Sequence, residues 1–213
     1  MSWDLSFMFD DLLPALLVGL QYTVLSTVLG YLIALLLGLL IAVVRRVRVV
    51  GPVAHGIMEF IRTTPLLIQL VFVFTLVPPT VTPLTVGVVV LGVHYAAYTA
   101  EVYRSGIEGV AKGQWEAARA LSLPLRRTWG AIVLPQAIRK VIPALGNYLI
   151  AMFKDTPLLF AIGVTEMLMM AQRVGQPAGR VMEAYTLVGI MFLLVSIPSA
   201  ILIRRLERRY AAV

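Results

Sequence analysis

The sequence predicts an all-α, polytopic membrane protein with five transmembrane helices, and three observations carry that reading. Of the 213 residues, 60% are apolar and only 14% charged, against roughly 45–50% and 25% in soluble domains. The mean hydropathy is +0.90. Charge-free runs recur at lengths near the ~20 residues that cross a ~30 Å hydrocarbon layer, and the basic residues gather between them.

The runs place the helices in order. Leu12 to Val44 carries no charge and is closed by Arg45, Arg46 and Arg48, which predicts one long helix over 13–44. Thr63 to Ala100 is also uncharged, and its 38 residues hold two helices, over 57–77 and 84–104. Between them, Pro78, Pro79 and Pro83 stop one helix and start the next. Val141 to Phe153 is only 13 residues, and becomes a span over 134–154 if Arg139 and Lys140 snorkel or face protein. Ala184 to Ile203 gives a fifth, over 184–203, closed by Arg204, Arg205, Arg208 and Arg209. The whole chain, 1–213, reads as a single transmembrane domain with one long polar segment, 105–133.

Five spans put the termini on opposite sides. With the amino terminus outside, the inner segments hold 15 of the 18 basic residues, leaving only Lys154, Arg173 and Arg180 outside. The net charge of +7 therefore reads as membrane topology and contact with lipid, and no nucleic-acid partner is implied. Met1 to Asp11 is acidic and aromatic, lacks the basic start of a cleavable signal, and is expected to be retained as a short interfacial helix or a tail. There is no cysteine, which sets aside thiol chemistry and disulfides. Two distant histidines and no His-Glu-x-x-His pattern argue against a membrane-embedded enzyme. A channel or secondary transporter remains the remote alternative, since it too would use charges within the membrane.

The polar segment carries the most specific pattern: Glu116-Ala117-Ala118, three residues, Ser122, nine residues, then Ile132-Val133-Leu134-Pro135. Trp115, Ala118, Leu121 and Ala117 recur at helical spacing, predicting a short helix with an apolar stripe, and Glu116 falls in its first turn, where a carboxylate suits the helix dipole. The pattern resembles the EAA loop of ABC importer permeases, the cytoplasmic element that docks onto an ATP-hydrolysing subunit. That resemblance implies the type I importer permease (MetI-like) fold and a coupling role for Gln114, Glu116, Ala117, Ala118, Leu121, Ser122 and Pro135. Ser122 departs from the usual glycine, at a turn expected to need a positive φ, at a cost on the order of 1 kcal/mol.

The chain holds no Gly-x-x-x-x-Gly-Lys-Ser/Thr phosphate loop, so no cofactor is expected in it and ATP with Mg is expected on separate subunits. The resemblance implies two ATP-binding subunits, a second permease chain (a heterodimer in the branch named below), an extracytoplasmic solute-binding protein, and a bacterial plasma (inner) membrane location.

Further stretches narrow the resemblance. Glu59 to Leu70, Tyr98 to Arg104, Leu134 to Asn147 and Lys154 to Leu159 look like the second, third and fourth spans of polar amino-acid permeases. His94 to Tyr98 and Asn147 to Asp155 look closest to the ectoine/hydroxyectoine branch. The leading expectation is ectoine or hydroxyectoine carried by alternating access; the alternative is a polar amino acid such as glutamine or arginine.

Candidate substrate-pathway residues are Gln69, His94, Tyr98, Asn147, Tyr148 and Asp155, with Tyr95 behind them. Tyr148 stands where relatives that carry cationic amino acids often have an acid, and an aromatic face attracts a delocalised cation by roughly 0.5–2 kcal/mol. Each has a packing alternative: an aromatic in a bundle core, or a histidine satisfied by a neighbouring helix. Glu59 with Arg62 and Glu101 with Arg104 are three apart and are expected to pair as braces of an inner gate. His55 is expected to have no special role.

Overall fold

The computed structural model describes residues 3–211, and every regular element among them is helical. A π-turn (Phe7–Leu12) winds directly into α1 (Leu13–Val44). The amino-terminal residues from Leu5 onward are thus the first turns of the first helix. Asp4 ties that end down: it accepts from the Ser6 hydroxyl (2.6 Å), the Phe7 N–H (3.0 Å) and Arg180 (3.1 Å). The Ser6 and Phe7 bonds above all hold its carboxyl below the ordinary carboxylate range.

The centre of the bundle is α4 (Pro83–Glu108), which packs along α1 and also against α3 and α7. Thr82 caps it, its hydroxyl accepting from the Thr85 N–H at 3.2 Å, with Pro83 in the first position. Close approach of α1 follows from a stripe of small buried residues on its inner face, including Gly19, Thr23, Gly30, Ala34, Gly38 and Ala42. In lipid there is little hydrophobic gain from helix contact, and such stripes let backbones meet. A Cβ on Gly92 would lie 2.6 Å from Ile33, so α4 returns the same fit. The Thr99 hydroxyl donates to the Ala34 carbonyl across the seam at 2.7 Å.

The span expected over 57–77 is not one helix. It is α2 (Gly51–Thr63) and α3 (Leu66–Leu76), bent by 105° at a break between them. Pro65 lacks the N–H that would continue α2, and its ring forces Thr64 out of the helical region to φ −92°, ψ 132°. Uncharged composition could not reveal this, because Thr64 and Pro65 interrupt no apolar run.

A short helix α5 (Lys112–Ala120) and a single turn α6 (Leu125–Arg127) follow α4, and a π-turn (Thr128–Val133) feeds α7 (Leu134–Asp155). Beyond a 3₁₀ segment (Thr156–Ile162) lies α8 (Met167–Gly175), in a stretch read from sequence only as an outer segment. Glu166, fully buried, caps α8: its carboxylate accepts from the Leu168 and Met169 N–H groups, both at 2.7 Å. The Gly19 Cα faces this corner, where a Cβ would lie 2.8 Å from the Met167 Cα. α9 (Val181–Ala211) is longer than the expected 184–203. Among the described residues, three helices are long and apolar enough to span, and up to five spans result if each bent pair counts as one.

Candidate functional site

The helix break at Pro65 positions the first site residue. Gln69, one turn into α3, donates from its Nε2 to the Ile61 (2.8 Å) and Thr64 (3.1 Å) carbonyls, stitching the freed end of α2 to α3. Its Oε1 then lies 2.9 Å from His94 Nδ1, near the middle of α4. His94 is buried and satisfied by a neighbouring helix, with one ring nitrogen engaged.

Around that pair α4 and α7 assemble the aromatic residues singled out from sequence. His94 and Tyr98, four residues apart on one face of α4, have ring centroids 5.3 Å apart. Tyr148 of α7 meets Tyr98 at 5.4 Å and Tyr95 at 6.3 Å. Asp155, at the last turn of α7, accepts from the Tyr95 hydroxyl at 2.7 Å. The Arg62 guanidinium lies over the Tyr98 ring at 5.4 Å. Gln69, His94, Tyr95, Tyr98, Tyr148 and Asp155 therefore form one polar and aromatic cluster from three helices. Asn147 stays outside it: exposed, it donates instead to Glu207 of α9 at 3.1 Å. One step along a helix turns a side chain by about 100°, so Asn147 and Tyr148 face different neighbours.

Below the cluster is a cavity of about 350 Å³, lined by Tyr98 and Tyr148 at one end and by Arg62, Glu101 and Lys140 among its charges. Both expected ion pairs form here. Glu59 and Arg62 meet at 3.2 Å, while Arg104 grips Glu101, its Nε 3.0 Å from Oε1, and also pairs with Glu108. Sequence reading missed the third member: Arg45, closing α1, reaches Glu101 at 2.8 Å and lies 2.9 Å from His55 Nδ1. The signal was present, since Arg45 ends the first uncharged run and Glu101 ends the second. Lys140 donates to the Gly109 carbonyl, tying α7 to the end of α4.

That tie leads into the segment whose pattern resembles a coupling loop. Ala118 is buried and Trp115 half-buried, its ring edge-on to Trp129 at 5.3 Å over Val110, Val133 and Ala137. Leu121, expected on the same apolar stripe, is 72% exposed, and Ala117 and Glu116 are exposed beside it. The helix ends at Ala120, so Leu121 leaves the stripe as the chain turns. Ser122 has φ 51°, the only positive φ outside glycine among the described residues. The Leu123 N–H donates to the Ala118 carbonyl (3.0 Å) and the Ser122 N–H to Arg119 (2.9 Å), the two bonds of a Schellman cap. Gln114 sits 3.4 Å from the Gln136 Nε2, and Pro135 occupies the first turn of α7, where no N–H is needed. The outcome is a knob whose outer face shows Glu116, Ala117, Leu121 and Leu125.

Comparison with known proteins shows the family and the fold. Residues 34–212 match the family described as binding-protein-dependent transport system inner membrane component. A probable amino-acid ABC transporter permease protein (y4tG) of Sinorhizobium fredii is 42% identical over 91% of this chain and 86% of its own. The glutamine transport system permease protein GlnP of Escherichia coli is 33% identical over 92% of this chain and 93% of its own. The L-cystine transport system permease protein TcyB of Bacillus subtilis is 34% identical over 98% of this chain and 93% of its own. A solved chain described as an amino acid ABC transporter with histidines superposes with a TM-score of 0.89 at 31% identity, covering 98% of this chain and all of that one.

Proposed function

Because the chain belongs to the family of binding-protein-dependent transport system inner membrane components, we propose that it is the permease subunit of an ABC importer for a polar amino acid. The observation that carries this reading is the cavity beneath the cluster. It offers Arg62 and Lys140 to a carboxylate and the faces of Tyr98 and Tyr148 to an ammonium and the body of the solute, while Glu101 is held by Arg45 and Arg104. A zwitterion fits cations beside aromatic faces better than a net cation does. The relatives named above carry glutamine, cystine or unspecified amino acids, so the alternative weighed from sequence, an amino acid such as glutamine, is the better supported one. Ectoine remains a second reading on one observation: the tyrosine faces around Tyr148 suit a delocalised cation.

The chain performs no chemistry in this reading. Two ATP-binding subunits grip the knob of α5 with their ATP and Mg, a second permease closes the pathway, and an extracytoplasmic binding protein delivers the solute. The termini lie outside (amino) and in the cytoplasm (carboxyl). Closure of the ATPases moves α5. Through Trp115–Trp129 and Lys140–Gly109 the motion reaches the feet of α4 and α7, and the Glu101 network opens or shuts the inner end.

Competition uptake tests the proposal in cells expressing the chain with its transporter partners. Labelled glutamine should enter saturably and be displaced by polar amino acids and not by excess ectoine. Uptake of ectoine blocked only by hydroxyectoine would reverse the substrate assignment and keep the fold. Uptake that persists without cellular ATP while the proton gradient is held would overturn the ABC reading.

A further inference from the structure

At the same end as α5, but facing away from the Glu101 cavity, α1, α4 and α7 leave a second cavity of about 490 Å³, comparable to a ligand pocket. Its walls are apolar, formed by residues such as Leu39, Val43, Ile107, Leu134 and Ile138. Leu39, Val43, Leu134 and Ile138 are exposed at its outer edge, so the cavity opens to the side of the bundle. At the rim stand Arg46 and Trp129, with the Arg46 guanidinium over the indole at 5.1 Å. Arg104, also at the rim, is already matched by Glu101 and Glu108. The Arg46 guanidinium has no ion pair or hydrogen bond among the described residues; the indole holds it in place and leaves its side-chain N–H donors unspent.

We propose that this cavity takes an acyl chain of an anionic phospholipid of the cytoplasmic leaflet, with the headgroup phosphate on Arg46. Charge and polarity select that occupant. A hydrocarbon slot ending in an unmatched cation beside an interfacial tryptophan complements a molecule with a long apolar tail and an anionic head. A protein segment would meet almost no polar group inside the slot, and a zwitterionic lipid would offer Arg46 a phosphate already balanced by the lipid's own ammonium. The site bears on coupling, because Trp129 is the ring on which Trp115 of α5 rests. An occupied slot holds Arg46 and Trp129 together and so braces the seat of the knob. The leaflet assignment rests on the orientation proposed above.

The chain's three tryptophans allow a direct test. In the full-length chain carrying Trp3→Phe and Trp115→Phe, Trp129 is the sole indole. Reconstituted in nanodiscs, its fluorescence is titrated with lipid nitroxide-labelled near the carboxyl end of one chain, as phosphatidylglycerol or as phosphatidylcholine. One basic residue near the surface corresponds to about a fivefold preference for the anionic lipid. That preference should fall to about one in Arg46→Gln and persist in Arg46→Lys. It should be unchanged in Arg48→Gln, which removes an exposed charge two residues away that does not line the cavity. Equal quenching by both lipids, or a preference that survives Arg46→Gln, would overturn the proposal. So would an equal loss in Arg48→Gln, which would mean a diffuse basic surface. The readout involves neither substrate nor ATP, so its result stands apart from the uptake assay.

Discussion

The seam between α1 and α4 makes a quantitative demand on Gly38. A Cβ there would lie 2.0 Å from the Thr99 Oγ1, 3.0 Å from the Ala96 carbonyl oxygen and 3.1 Å from the Ala100 nitrogen. The first distance is impossible, and Thr99 cannot swing aside without leaving the Ala34 carbonyl it donates to at 2.7 Å. Gly38→Ala therefore forces the helices apart, at about 1–3 kcal/mol for overpacking plus about 0.6 kcal/mol for the interhelical bond. Thr99→Ala alone loses the bond and some packing, about 1 kcal/mol. In the double mutant the worst contact is gone and only the backbone neighbours remain, so its cost should fall short of the sum by about 1–2 kcal/mol. Gly189→Ala is the control: nothing lies within 4 Å of its Cβ position, and it should be neutral or slightly stabilising. The assay is equilibrium unfolding of the purified chain in mixed micelles, followed by far-ultraviolet circular dichroism. Costs that add to within about 0.5 kcal/mol would refute the claim that Thr99 and Gly38 share one contact.

Three further outcomes are expected. Ser122→Gly relieves the positive φ but enlarges the freedom of the unfolded loop, for a net gain of about 0.5 kcal/mol. Amide exchange at Ser122 and Leu123 should slow about twofold, while Ser122→Val, β-branched at a left-handed position, should speed it. Glu116→Arg reverses the exposed charge of the knob without touching the core, so uptake and co-purification of the ATP-binding subunits should be lost at unchanged membrane levels. Tyr95→Phe removes the hydroxyl that Asp155 accepts, and at 1.5–3 kcal/mol for a bond to a charged group, uptake at low solute should drop roughly tenfold or more. Unchanged uptake would make Tyr95 a packing residue.

What could be read from sequence followed from free energies that act locally. Uncharged length places α1, α4 and the core of α9, because a charge in hydrocarbon is costly wherever the helix goes. The segment around Glu116 was legible for a different reason: its spacing resembles a family motif, and the positive φ expected at Ser122 is present. Hydropathy is blind where the chain bends without meeting water. It missed the 105° break at Pro65, where Gln69 supplies the bonds that solvent cannot, and it missed α8, whose cap is a glutamate outside the usual cap residues. Both bends end in polar side chains turned onto backbone, the half-buried Gln69 and the fully buried Glu166. Such residues are the trace that irregular backbone leaves within an apolar bundle. A glutamine one turn after a Thr-Pro pair then argues for a broken helix, and Gln69 shows the functional consequence: the same amide that mends the break presents its oxygen to His94 and starts the cluster. The break and the site are one structural event, which is why neither is visible to a reading that treats each run as a straight helix.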